Sequence, residues 1–233
     1  MSSGRLLSLG VMLLIAVISS LSMYAGLGAD QVRSAEFNSA LPPTPTFVSP
    51  DTNAYMGVGN AEISLGKKLE PALIRIWNEG DWFMIDGLDS NGKTVSFLSS
   101  SLKPHYGAYV LNIFRQKKVS SLKILADGRW RIEVSSLKNA PIVEAGNAIS
   151  ADWSEVFWIS ATSTSTVLVK NHQAQSRLEV NAYDTRQISL VSTESRLAAV
   201  VEVTQTELLV EVIAKGPWSI EVNDGGIFDS EGD

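Results

Sequence analysis

Apolar and polar positions alternate with a period of two along most of the chain, the spacing of strands with one buried face. Trp82-Phe-Met-Ile-Asp-Gly-Leu88 is such a run, and Asp89-Ser-Asn91-Gly92 follows it. Thr94-Val-Ser-Phe-Leu98 resumes on the far side. An Asn-Gly pair between two apolar runs predicts a hairpin, because both residues accept positive φ. Leu73-Ile-Arg-Ile76, Tyr106 through Phe114, Ser120 through Leu125 and Trp130-Arg-Ile-Glu-Val134 complete a first set of strands. A second set comprises Phe157 through Ala161, Thr166-Val-Leu-Val169, Arg177-Leu-Glu-Val180, Gln187 through Val191, Leu197 through Val203, Glu207 through Ile213 and Trp218-Ser-Ile-Glu-Val222. No stretch after the N-terminus sustains a 3.6-residue period. Short strands separated by frequent turn signals predict sandwiches or barrels.

A nine-residue phrase occurs twice. Ala126-Asp-Gly-Arg-Trp130-Arg-Ile-Glu-Val134 and Ala214-Lys-Gly-Pro-Trp218-Ser-Ile-Glu-Val222 agree at six of nine positions, 88 positions apart. Each copy reads as the closing hairpin of a β-module. In the first, Leu122, Ile124 and Ala126 face Trp130, Ile132 and Val134 across paired strands. The expected architecture is all-β: two tandem antiparallel sandwiches, jelly-roll-like, at 61–138 and 149–222, joined by a linker at 139–148 around Pro141 and Gly146. The mid-module turn after Asp184 has lost the Asn-Gly of the first copy.

The N-terminus breaks the β pattern. Residues 6–27 carry no charge, with Arg5 before them and Asp30 after. That asymmetry holds the N-terminus in the cytoplasm and sends the rest across. Residues 1–29 are therefore expected to be a hydrophobic helix, either a cleaved signal peptide or a retained anchor. Residues 30–60 read as an extended linker with Pro42, Pro43, Pro45 and Pro50, since proline lacks the donor a helix or central strand needs. Residues 223–233, with four acidic residues and three glycines, read as a disordered tail.

Composition narrows the function. A formal net charge of −6 argues against a nucleic-acid partner. The absence of Cys removes disulfides, thiol catalysis and Cys-ligated metals. Asp86, Asp89 and Asn91 suggest a calcium loop, but Leu88 breaks the oxygen spacing, no Glu closes it, and an Asx-type turn accounts for the residues. His105 and His172 are expected at surface loop positions, far apart and without a carboxylate cluster. No G-x-S-x-G elbow is present, although a triad can converge in space. No catalytic, cofactor-binding or metal residue is assigned. Of six Trp, Trp130 and Trp218 are core positions of the repeat. Trp77, Trp82, Trp153 and Trp158 read as core or inter-module packing, with an exposed sugar- or peptide-binding platform as the alternative.

Gly80-Asp-Trp-Phe83, Asp89-Ser-Asn-Gly92, Tyr106-Gly-Ala-Tyr109 and the phrase 126–134 resemble secreted bacterial β-sandwich modules of the pre-peptidase C-terminal type. The resemblance covers most of residues 61–222 and implies a non-catalytic accessory on an exported protein. The expected function is a secreted or single-pass membrane protein, its C-terminal part outside, that serves adhesion, envelope organisation or protein binding. Its expected partners are an extracellular protein or envelope component and the membrane through its N-terminal segment. Carbohydrate binding is the alternative, and a cryptic hydrolase a lesser one.

Overall fold

The structure is a computed structural model that describes residues 52–65, 70–113, 118–161, 165–173, 176–183, 187–193, 198–203 and 206–224. These belong to one compact unit, Phe37–Asp233. The expected N-terminal helix, most of the proline-containing linker, the turn after Asp184 and residues 225–233 lie outside the described residues.

The strands are β1 (Asn53–Val58), β2 (Ala61–Ser64), β3 (Ala72–Asn78), β4 (Phe83–Leu88), β5 (Thr94–Ser101), β6 (His105–Leu111), β7 (Ser121–Ala126), β8 (Arg129–Ser136) and β9 (Ile142–Glu144). They continue with β10 (Ala148–Ala151), β11 (Glu155–Ser160), β12 (Ser165–Asn171), β13 (Leu178–Tyr183), β14 (Gln187–Thr193), β15 (Ala198–Val203), β16 (Glu207–Ala214) and β17 (Trp218–Asp224). A 3-10 turn, Leu137–Asn139, links the two sets.

The sheet orders are β1-β8-β3-β6 and β2-β7-β4-β5 in the first half, and β10-β17-β12-β15 and β14-β13-β16-β11-β9 in the second. Numbering eight strands from β1 and eight from β10 gives the same order twice, 1-8-3-6 facing 2-7-4-5, with β9 added at the edge of the second. That is jelly-roll connectivity. All pairs are antiparallel except β9 with β11, where Trp158 pairs with Ile142.

The order corrects one expectation. β7 and β8 do not form a hairpin: β7 pairs with β2 and β4, and β8 pairs with β1 and β3. The same holds for β16 and β17. Each copy of the phrase is a corner that carries the chain from one sheet to the other. Leu122, Ile124 and Ala126 do face Trp130, Ile132 and Val134, but across the sandwich, in one buried cluster.

The corners repeat as well. Trp130 Nε1 donates to Gly59 O at 2.8 Å, and Trp218 Nε1 donates to Trp153 O at 2.8 Å. Asn78, opposite Trp130, closes its corner through Gly80 N–H and C=O. Asn171, opposite Trp218, does so through Gln173 N–H and Ser176 C=O. Both asparagines are buried, and these bonds offset their desolvation. Asp127 Oδ1 accepts from Trp82 N–H at 2.9 Å and ties the corner to the start of β4.

A Cβ on Gly128 would sit 2.5 Å from Gly80 Cα, so backbone lies against backbone there. Gly128→Ala is therefore expected to cost about 1–3 kcal/mol, as other overpacking changes do. Chemical denaturation measures this; a loss below about 0.5 kcal/mol would show that the corner relaxes freely.

Three expected boundaries also shift. β1 falls inside the expected linker 30–60, so the first sandwich begins at Asn53 rather than Ala61. The expected linker 139–148 contains β9 and the first residue of β10. At the C-terminus, β17 runs to Asp224, into the expected tail.

The halves pack sheet against sheet. β3, β6 and β16 are buried on both faces, which explains their nearly continuous apolar runs. Ile74, Ile76, Tyr109 and Leu111 face the first core. Leu73 and Ala108 point the other way, onto Val156, Tyr183 and Leu209 of the second half. The outer edge of β6 is closed by the second half: Ala108 N–H donates to Ser154 O and Val110 N–H to Glu211 Oε1.

Candidate functional site

The chemistry-bearing side chains fall into three places: an aromatic seam on the outer face of β8-β3-β6, a hydroxyl–imidazole triangle at the start of β6, and a buried carboxyl between the halves.

The seam follows from register. Met56 pairs with Arg131, Arg131 with Trp77, and Trp77 with Tyr106, so the four side chains cross the sheet in one row. The Arg131 guanidinium lies 5.5 Å from the Trp77 ring centroid. Trp77 meets Tyr106 at 5.2 Å, and Tyr106 meets Trp153 edge-on at 5.4 Å. Such contacts add to area burial when rings are packed. Arg131 also pairs with Glu133. Trp158 packs at the junction and donates its Nε1 to Leu137 O at 2.9 Å. Trp77, Trp153 and Trp158 thus take packing positions, as expected of them, and form no open platform. Trp82, 39% exposed, is the open ring.

The row ends in the open. Beside β1, Met56, Gly57, Val58, Trp77, Glu79, Arg129, Trp130 and Arg131 line a shallow groove of about 400 Å3. Trp77 Nε1 is buried and has no hydrogen-bond partner among the described residues.

The triangle corrects a second expectation. His105 is not on a surface loop: it begins β6, opposite Asn78. Its Nε2 lies 3.1 Å from Ser99 Oγ and 3.1 Å from the Tyr109 hydroxyl, which itself donates to Ser99 Oγ at 3.0 Å. Burial, reinforced by the charge of Lys103, lowers the His105 pKa from 6.5 to about 4, so the ring is neutral at pH 7. In the tautomer with its proton on Nδ1, Nε2 accepts a hydrogen bond from the Ser99 hydroxyl. This is the Ser–His proximity that a nucleophile needs. Here the serine is buried and already receives the tyrosine hydroxyl, and no carboxylate is hydrogen-bonded to His105 among the described residues. His172 sits at the opposite sandwich's corner, 2.8 Å from Ser219 Oγ.

Glu211 occupies the outer face of β16. It accepts from Val110 N–H of the first half and from the Tyr183 hydroxyl of its own half. Burial pushes its pKa up, against the pull of those two bonds. The tyrosine is also pushed up, first by burial and then by the glutamate beside it. Burial likewise raises Glu155, whose Oε2 takes the Trp153 indole N–H at 3.3 Å. These acids are interface pieces with their acceptors engaged.

The Asp89 turn is the Asx-type turn that its residues suggest. Asp89 Oδ1 accepts from Asn91 N–H at 2.9 Å and Lys93 N–H at 3.0 Å, and Gly92 has φ 77°. No cluster of three metal-ligating side chains occurs among the described residues. Neither the histidine triangle nor the two buried corner asparagines was legible from spacing. The buried acid had one signal, a lone Glu in the apolar run Leu208-Leu-Val-Glu-Val-Ile213.

No family model matches the chain. No curated protein matches it either. Among solved structures, a conserved protein of unknown function from Pseudomonas aeruginosa PAO1 is 11% identical, with TM-score 0.23 over 74% of this chain and 80% of that one. An archaeal virus turret protein with a triple jelly roll is 12% identical, with TM-score 0.29 over 70% of this chain and 51% of that one. HutD from Pseudomonas fluorescens SBW25 is 14% identical, with TM-score 0.24 over 75% and 79%. At such scores these likenesses carry no functional argument.

Proposed function

We propose that the chain is an exported or membrane-anchored surface protein that presents its two jelly-roll sandwiches outside the cell for protein binding, adhesion or envelope organisation, and does no chemistry of its own. The observation that carries this reading is the uncharged run of residues 6–27, flanked by Arg5 and Asp30. It lies outside the described residues, among which no helix is long and apolar enough to cross a membrane. Two features of the globular part agree with a binding role. Its buried polar side chains at the corners and the junction are engaged in holding strands together. Its exposed apolar side chains include Met56 and Val58, side by side on one edge. The resemblance of residues 61–222 to secreted accessory modules points the same way.

Sugar binding is the second reading, favoured by the exposed Trp82 ring. It predicts that Trp82→Ala abolishes retention on a glycan array while leaving stability within about 0.5 kcal/mol.

Fractionation of the native cells, with external protease added before lysis, tests the main reading. The globular part is expected in the membrane or exported fraction and within reach of the protease. A protected, cytosolic globular part would overturn it.

A further inference from the structure

An exposed sheet edge is a row of unpaired donors and acceptors, and proteins blunt such edges by shortening, charging, bulging or covering them. Nearly every edge among the described strands is blunted. β2 and β10 have four residues each and β9 three. β5 departs from its partner at two register shifts and β14 at one. β15 carries the exposed Glu202. β6 is covered by Ser154 and Glu211.

β1 has none of these devices among the described residues. It spans six residues, keeps unbroken register with β8, and contains no charge and no proline. Its outward side chains, Met56 and Val58, are 74% and 70% exposed. The neighbouring groove, which Glu79 also lines, adds Arg129, exposed and in no ion pair among the described residues. Among the described residues this edge thus offers an unpaired backbone ladder, an apolar strip and a cation.

Resting on the protein-binding reading above, we propose that the free edge of β1 takes an extended peptide strand from another protein, with apolar side chains and an acidic residue among them. The peptide backbone continues the ladder beyond β1. Its alternate apolar side chains lie along Met56 and Val58. Its carboxylate, on the same face, meets Arg129. A sugar would use the groove but leave the backbone ladder idle, so the edge favours a peptide.

The test uses the full chain and a synthetic probe, acetyl-Thr-Asp-Thr-Val-Thr-Val-Thr-Asp-amide, whose valines and aspartates share one face of a strand. Fluorescence anisotropy follows binding, and hydrogen exchange follows the amides of residues 53–58. The expected result is saturable binding with new protection confined to β1. Binding should weaken at least tenfold when both aspartates of the probe become lysine, and also in Met56→Lys and Val58→Lys. Those positions are exposed, so the circular dichroism of both variants should be unchanged. The proposal is overturned by absence of binding at millimolar probe, by protection at a different edge, or by equal binding of a probe N-methylated on alternate amides. It is equally overturned if β1 amides are already protected in the free monomer, or become protected with protein concentration alone, which would give the edge to a second copy. Failure here with the globular part found outside the cell leaves the exported reading standing. Success here with a cytosolic location would overturn only that reading.

Discussion

Trp218→Ala is expected to lower the unfolding free energy by about 3–5 kcal/mol. The ring is fully buried, stacks on Phe157 at 6.3 Å and donates its Nε1 to Trp153 O. Alanine would leave a cavity where the two sheets of the second half meet, and would orphan a carbonyl at the β10–β11 corner. Trp130→Ala should fall in the same range for the first half, because its indole makes the matching bond to Gly59 O. Trp218→Phe separates the two contributions: it keeps most of the apolar bulk and loses the N–H, for an expected cost of about 1–3 kcal/mol. Urea denaturation followed by circular dichroism reads all three. A loss below about 1 kcal/mol for both alanine variants would mean that neither ring holds its sheets together.

The second large effect is acid lability through His105. Its folded pKa, about 4, lies below the unfolded value of 6.5. The folded state therefore binds fewer protons than the unfolded state between those two values, and stability falls as pH drops through that window. The stabilisation is complete above about pH 6.5 and lost below pH 4, a change of about 3 kcal/mol. Glu211 and Glu155 act with the opposite sign. Their folded pKa values are raised, so they cost stability as pH climbs above the ordinary carboxylate range. Comparing wild type with His105→Gln across the pH series cancels those carboxylates. The variant should lose about 3 kcal/mol less than wild type between pH 7 and pH 3.5. Parallel pH curves would show that the imidazole is solvated and that the Ser99–Tyr109 triangle does not close over it.

Much of this fold could be read from alternation, and the failures have physical causes. Alternation reveals which face of a strand is buried, but not which strand lies beside it. A hairpin turning at Asp127-Gly128 would pair Lys123 with Ile132 and put the two apolar rows on opposite faces, so the parity of the rows fits a corner between two sheets and not a hairpin. The deciding contacts are long-range, such as Asp127 accepting from Trp82 N–H and Gly128 resting on Gly80. β1 escaped notice because Gly57 stands where an inward apolar residue would be expected. The Trp130 ring fills that space, and a Cβ on Gly57 would collide with it. β9 was hidden because its parallel pairing with β11 leaves no turn signal. His105 follows Lys103 and Pro104 and so reads as loop, yet Tyr109 further along β6 and Ser99 on β5 of the facing sheet close around it. The repeat was legible through its tryptophans, while its asparagines, Asn78 and Asn171, were not. A buried asparagine is recognisable only when the corner backbone that satisfies it is in view.

The groove beside β1 exists only if β8 lies between β1 and β3, so strand order is the claim on which the rest depends. Cross-strand Hα–Hα Overhauser contacts on the full chain test it most directly. The account predicts contacts in β7–β4 around Ile124 and Ile85 and in β8–β3 around Ile132 and Ile76, with none between β7 and β8. Contacts joining Lys123 to Ile132 would contradict it, and would return the nine-residue phrase to a simple hairpin.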